Sequence, residues 1–316
     1  MEIHKIILIN LPLELLQFIF DKLDFKSQII FQTLCRYFHE ELRISDLYHI
    51  NKKYLNKLND DILKRFKYIK HLNASHNNFI TNEGIKHMKL YSLNVSYNVN
   101  NITDDGIKHM NLRVLKARNH PIITDNGIKH MNLSILDAAH NNNITDKGIK
   151  HMNLYYLNAS DNLNITDEGI KHMNLNTLII CGVVNKITDN GIKHMMLHTL
   201  IIPNNNKITD EGIKHMNLHT LVIFSNDKIT DEGIKHMNLH TLDISFNQKI
   251  TDDCIKNMNL YSLDASGGKN LITNEGIKNM NLNKLSASLN EKITDEGIKH
   301  MNLANLHAYY NKNITK

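Results

Sequence analysis

Several things are scarce in this chain of 316 residues. There is no tryptophan, and there are only three cysteines and three prolines. Cys35, Cys181 and Cys254 show no pairing pattern and no metal-ligand spacing, which points away from a disulfide scaffold and towards a reducing compartment. No apolar run is long and clean enough to span a membrane or serve as a signal peptide. The nearest, residues 6–20, is interrupted by Asn10, Pro12, Glu14 and Gln17. Charge of one sign is also thin. The formal net charge is +5 with a pI near 8.8, far from the dense basic stripe of a nucleic-acid binder. No nucleophile elbow or phosphate loop is present. These absences lead us to expect a soluble intracellular protein, with no cofactor, no metal, and neither nucleic acid nor membrane as a partner.

What is abundant is one phrase, Ile-Thr-Asp-x-Gly-Ile-Lys-His-Met. It starts at Ile80, Ile102, Ile123, Ile144, Ile165, Ile187, Ile208, Ile229, Ile250, Ile272 and Ile293, and begins again at Ile314. Every step is 21 or 22 residues, and a fixed period in this range is the mark of a solenoid. Within one repeat, Leu90, Leu93 and Val95 are expected to face inward, with residues 92, 94 and 96 on the opposite face of a strand. Ile107 and Met110 share a helical face and turn inward, while Lys108 and His109 turn out. Either Thr or Asp of the phrase can cap the short helix.

Asparagine is the third signal, with 46 copies. Asn77, Asn98, Asn141, Asn162, Asn205, Asn226, Asn247, Asn290 and Asn311 occupy one repeat position. A buried amide there can serve the turn backbones above and below it. The column is interrupted at His120, Val183 and Gly268, where irregular turns are expected. The repeat glycine is replaced once, by Cys254, which implies close packing there and not a positive φ.

The first fifty residues differ. Leu15, Ile19 and Leu23 recur at helical spacing with Leu16 and Phe20 beside them, and Pro12 suits a first helical turn. A second apolar run, residues 29–34, precedes Cys35-Arg36-Tyr37-Phe38. Residues 51–71 read as helical, with Leu55, Leu58, Ile62 and Phe66 as an apolar stripe, like the degenerate first repeat of a solenoid.

Leu-Pro-x-Glu-Leu-Leu-x-x-Ile-Phe-x-x-Leu followed by Cys-Arg-x-Phe resembles the F-box. The matching positions are Leu11, Pro12, Glu14, Leu15, Leu16, Ile19, Phe20, Leu23, Leu34, Cys35, Arg36 and Phe38, with Phe38 where the family usually has Trp. The resemblance implies that these residues dock on a Skp-family adaptor and, through it, a cullin. Leu-x-x-Leu-x-φ-x-x-Asn with the Ile-Thr-Asp-x-Gly-Ile segment is similar to the leucine-rich repeats of F-box proteins, about five residues shorter. The implied fold is α/β: a leucine-rich-repeat solenoid, parallel strands inside and short helices outside, with a small all-α F-box. The expected boundaries are an F-box at 7–48, a linker and capping repeat at 49–71, and the array at 72–316. The Asn, Ile and Lys bias and near-identical repeats resemble F-box/leucine-rich-repeat proteins of large DNA viruses of amoebae, which implies a host-cell setting.

Repeats copied this closely give little information about function where they agree. The Lys-His pair of each helix reads as a solvated face, with Lys beside an acid three residues earlier, as in Glu83–Lys86 and Glu168–Lys171. The concave strand face departs more. It carries Asn94 and Ser96, Lys116 and Arg118, then Asp137; then Ile179 and Cys181, Ile201 and Pro203, Val222 and Phe224; then Asp243 and Ser245, Asp264 and Ser266. An apolar patch rimmed by polar groups is expected to bind a target protein, with Phe224 as anchor. The chain therefore reads as the non-catalytic substrate-recognition subunit of an SCF-type ubiquitin ligase. The alternative is an interaction or decoy scaffold uncoupled from ubiquitination.

Overall fold

The computed structural model describes residues 11–98 and 101–315, so residues 7–10 of the expected F-box lie outside the described residues. The chain divides into two compact units, residues 1–131 and 132–316.

The first unit begins with helices α1 (Leu13–Asp21), α2 (Phe25–Gln32) and α3 (Arg36–Glu41). Pro12 takes the position before α1, where its missing N–H costs nothing, and its carbonyl accepts from Leu16. Asp24 caps α2, accepting from the Ser27 N–H at 3.0 Å and from its hydroxyl, and these bonds hold its carboxyl below the usual range. Leu16, Phe20, Phe38 and Leu42 are buried together with Gln28, whose amide donates to the Phe20 carbonyl. Phe31 bridges Phe20 and Phe38 through ring contacts at 6.0 and 4.7 Å.

Two local expectations need correcting. The end of the all-α segment contains a strand, β1 (Asp46–Leu47), which pairs in parallel with β2 (His71–Asn73). Residues 51–71 are also not one helix. They form two single turns, α4 (Lys52–Leu55) and α5 (Asp60–Leu63), capped by Asn51 and Asn59. Each asparagine accepts a backbone N–H that a continuing helix would have satisfied, so the chain restarts. Leu55, Leu58 and Leu63 are buried while Ile62 and Phe66 are only half-buried. Strands β3 (Ser92–Asn94) and β4 (Val114–Lys116) continue the parallel order β1-β2-β3-β4.

The second unit stacks β5 (Ile135–Asp137), β6 (Tyr156–Asn158), β7 (Thr177–Ile179), β8 (Thr199–Ile201), β9 (Thr220–Val222), β10 (Thr241–Asp243), β11 (Ser262–Asp264), β12 (Lys284–Ser286) and β13 (Asn305–His307). Neighbours are parallel and in register, leucine opposite leucine, from Leu136↔Leu157 to Leu285↔Leu306. One-turn helices alternate with the strands, each starting just after the phrase's threonine. This is the leucine-rich-repeat solenoid the period implied. Strand leucines, the phrase's isoleucines and the helix methionines fill the space between, nearly all under a few per cent exposed.

Threonine is the helix cap: Thr188 and Thr209, for example, accept from the second N–H after them. The aspartate beside it has another task. Asp189 accepts from the Thr209 N–H at 2.8 Å and from its hydroxyl at 2.7 Å, one repeat further on. The same pair of bonds joins Asp60 to Thr81, Asp104 to Thr124, Asp146 to Thr166, Asp167 to Thr188, Asp210 to Thr230, Asp231 to Thr251 and Asp252 to Thr273. Asn82 and Asn274 substitute, accepting from the threonine N–H and donating to its oxygen. This ladder explains the glycine. A Cβ on Gly212 would sit against the pinned Asp189 carboxylate, and most other helix glycines meet the same obstacle, none with positive φ.

The asparagine column is buried as expected. Asn162 accepts from the N–H groups of Asn164 and Ile165 and donates to carbonyls of the preceding repeat. At two of the three interruptions the column is displaced, not lost. Asn185 and Asn270 are fully buried and do the same work two residues later. The turns there differ as expected, with Gly182 and Gly267 at φ of 94° and 111°. At the third, His120 Nδ1 accepts from the Ile123 N–H in the asparagine's place.

Candidate protein-interaction surfaces

The helical segment splits its expected adaptor-binding residues into two groups. Leu16, Phe20 and Phe38 are spent on the segment's own core. Leu15 (48% exposed), Ile19 and Leu34 present apolar side chains to solvent, beside exposed Pro12 and Glu14. Leu11, Leu23 and Cys35 are half-buried. Four more exposed side chains extend the apolar surface: Phe18 (59%), Ile29, Ile30 (51%) and Tyr37. None of the four is a position of the F-box motif, and none lies on the Leu15, Ile19, Leu23 stripe. The available signal was an excess of apolar residues over what one stripe on so short a helix can bury.

The strand face is set by register. Ile179, Ile201, Val222 and Asp243 align on β7 to β10, and Thr177, Thr199, Thr220 and Thr241 align two residues earlier. Ile179, Cys181, Ile201, Pro203, Val222 and Phe224 are all half-buried, so the apolar strip is continuous but low in relief. Phe224 packs edge-on against Phe246 at 5.4 Å, which props its ring at the margin of the strip. Phe246 itself is 43% exposed, and beyond the irregular turn Val183 and Val184 are also exposed.

Two features here were not foreseen. His198, His219 and His240 stack ring on ring at 4.6 Å, ending on Tyr261 at 4.8 Å, just ahead of the aligned threonines. Desolvation and the neighbouring imidazoles lower the His219 pKa. Asp243 and Asp264 are register neighbours on β10 and β11, and burial, with a smaller push from Asp264, raises the Asp243 pKa.

On the helix side, lysines pair with acids three residues earlier, as in Lys171–Glu168, Lys214–Glu211 and Lys235–Glu232, each at 2.7 Å and well exposed. Such exposed pairs add little to stability, because solvent screens them. Several histidines reach back instead, His236 Nε2 lying 3.1 Å from the Met216 carbonyl. Among the described residues no group of three or more His, Cys, Asp or Glu could hold a metal ion, and no helix is long and apolar enough to cross a membrane.

Residues 8–50 match the F-box domain, and residues 214–235 and 235–255 match a leucine-rich repeat. No curated protein sequence matches the chain. Among solved structures, the crystal structure of the Rad7 and Elc1 complex in yeast is similar, with a TM-score of 0.51 at 14% identity, over 80% of this chain and 85% of that one. At that identity the likeness concerns the fold.

Proposed function

We propose that this chain is a non-catalytic substrate receptor of an SCF-type ubiquitin ligase. Its F-box segment holds a Skp-family adaptor, and through it a cullin, while the strand face holds the target. The observation that carries the reading is the exposed apolar surface of α1 and α2, around Leu15, Phe18, Ile19 and Ile30, on a segment that matches the F-box domain. A small helical unit that keeps such side chains in water is built to lose them to a partner. Catalysis then lies elsewhere in the assembly, and this subunit raises the effective concentration of target lysines near the charged enzyme. The composition bias supports placing this machinery in a host cell of a large DNA virus of amoebae, in cytoplasm or nucleus.

Leu15→Asp with Ile19→Asp tests this. Both side chains are exposed, so the thermal midpoint should stay within a degree or two while adaptor and cullin disappear from the co-purified material. Unchanged recovery of the adaptor would overturn the reading. Absence of the adaptor already from the wild-type complex would favour the uncoupled scaffold.

A further inference from the structure

Asp243 and Asp264 carry charge that the fold does not use. Each stands at the third strand position and accepts from the N–H two residues on, Ser245 and Ser266, at 2.9 Å. Neutral asparagine does the same job elsewhere: Asn158 accepts from Ser160, and Asn94 from Ser96, at 3.1 and 3.0 Å. Two carboxylates one strand apart, about 4.8 Å, repel each other and lose solvation as they are covered. Neither forms an ion pair with any described residue. Lys284 on the next strand has its ammonium over the Tyr261 ring instead. The pair adjoins Val222, the last member of the apolar row.

Resting on the receptor reading of the strand face, we propose that the target segment is an extended peptide with two apolar side chains followed by a lysine or arginine. The apolar side chains lie across Ile179, Ile201 and Val222, beside Phe224, and the cation lies between Asp243 and Asp264. The dimensions agree. Four strand spacings separate Ile179 from Asp264, roughly 19 Å, the reach of about six extended residues. A cation placed there removes the repulsion between the carboxylates, whereas an acidic segment would add to it, so charge sets specificity as well as attraction. The stacked rings of His198, His219 and His240, ending on Tyr261, border the same strands, Cys181 lies just beyond Ile179, and Lys284 and His307 line the same hollow as Asp264.

The test uses the full chain and fluorescent peptides of about ten residues, randomised except for two alternating apolar positions and one basic position. Fluorescence polarisation should show binding that falls at least about tenfold when the basic residue becomes glutamate. Asp243→Asn with Asp264→Asn keeps the turn bonds, as the natural asparagines show. It should reduce the preference for lysine over glutamine to less than about twofold, with a thermal midpoint equal to or above that of the wild type because the repulsion is gone. Ile201→Asp should abolish binding. Absence of binding by any such peptide, or an undiminished lysine preference in the double variant, would overturn the proposal. Adaptor co-purification is measured separately, so loss of the receptor reading leaves these outcomes readable.

Discussion

Asp189 shows how much one side chain carries. Its two oxygens take the N–H and hydroxyl of Thr209, and its position forces glycine at Gly212 in the next repeat. Asp189→Ala strips partners from two half-buried groups and should cost about 1–3 kcal/mol for each. Asp189→Asn should cost under about 1 kcal/mol, because Asn82 and Asn274 already make the substitution. Thermal melts of the two variants check the difference. Cys254 marks the other half of this contact. It stands where the other repeats have glycine, is 6% exposed, and its thiol lies 3.9 Å from the Asp231 carbonyl. Burial, with Asp231 beside it, drives the thiol pKa far upward, so little thiolate forms at neutral pH. Of the three cysteines it should be the last to be alkylated, with Cys35 and Cys181 modified first in a timed mass-spectrometric assay.

Among the turns, His120 is the informative departure. It is fully buried, Nδ1 accepts from Ile123, and Nε2 has no partner among the described residues. Burial lowers its pKa below the ordinary 6.5, so the unfolded chain binds this proton more readily than the folded one. Stability from this site is therefore complete above pH 6.5 and is lost as pH falls below it, through the folded-state value. His120→Asn should flatten the dependence of the melting midpoint on pH between about 7 and 5, and raise the midpoint at the acid end. The sequence carried the need for an amide at this position, since nine repeats supply one. It did not carry the displaced solution at Asn185 and Asn270, which depends on glycine turns that add two residues before the amide. Nor did it carry the Asp–Thr ladder, because the partners are about 20 residues apart and both residues already had a reading as caps. The positive φ shared by Phe246, Leu289 and their equivalents was equally hidden. Neither residue type favours that backbone region, and only the N–H bond to the next repeat's carbonyl, such as Phe246 to Ser266 at 2.8 Å, accounts for it. For the candidate sites, composition located the strand strip, while the division of the F-box residues into core and surface needed the helices' actual packing.

Across the second unit the repeats meet through the same parts: a leucine register, a buried amide, and an aspartate–threonine pair in which Asn274 once replaces the aspartate. Stability should then be close to a sum of repeat and neighbour terms, and a whole period should be removable. Deleting residues 272–292 takes out one period with β12 and brings Asp252 opposite Thr294, chemically the same pair as Asp252 and Thr273. The array should refold with one fewer repeat, a slightly lower midpoint and an unchanged strand face around Ile201. Deleting residues 208–228 removes a period of the same length but takes Val222 and Phe224 with it. It should fold equally well and lose peptide binding. Deleting about ten residues from either region breaks the period and should unfold the repeats around it. Circular dichroism separates the third variant from the first two, and peptide binding separates the first from the second. If both whole-period deletions fold but bind alike, the repeats from β7 to β9 are spine and nothing more, and the target site lies on other strands.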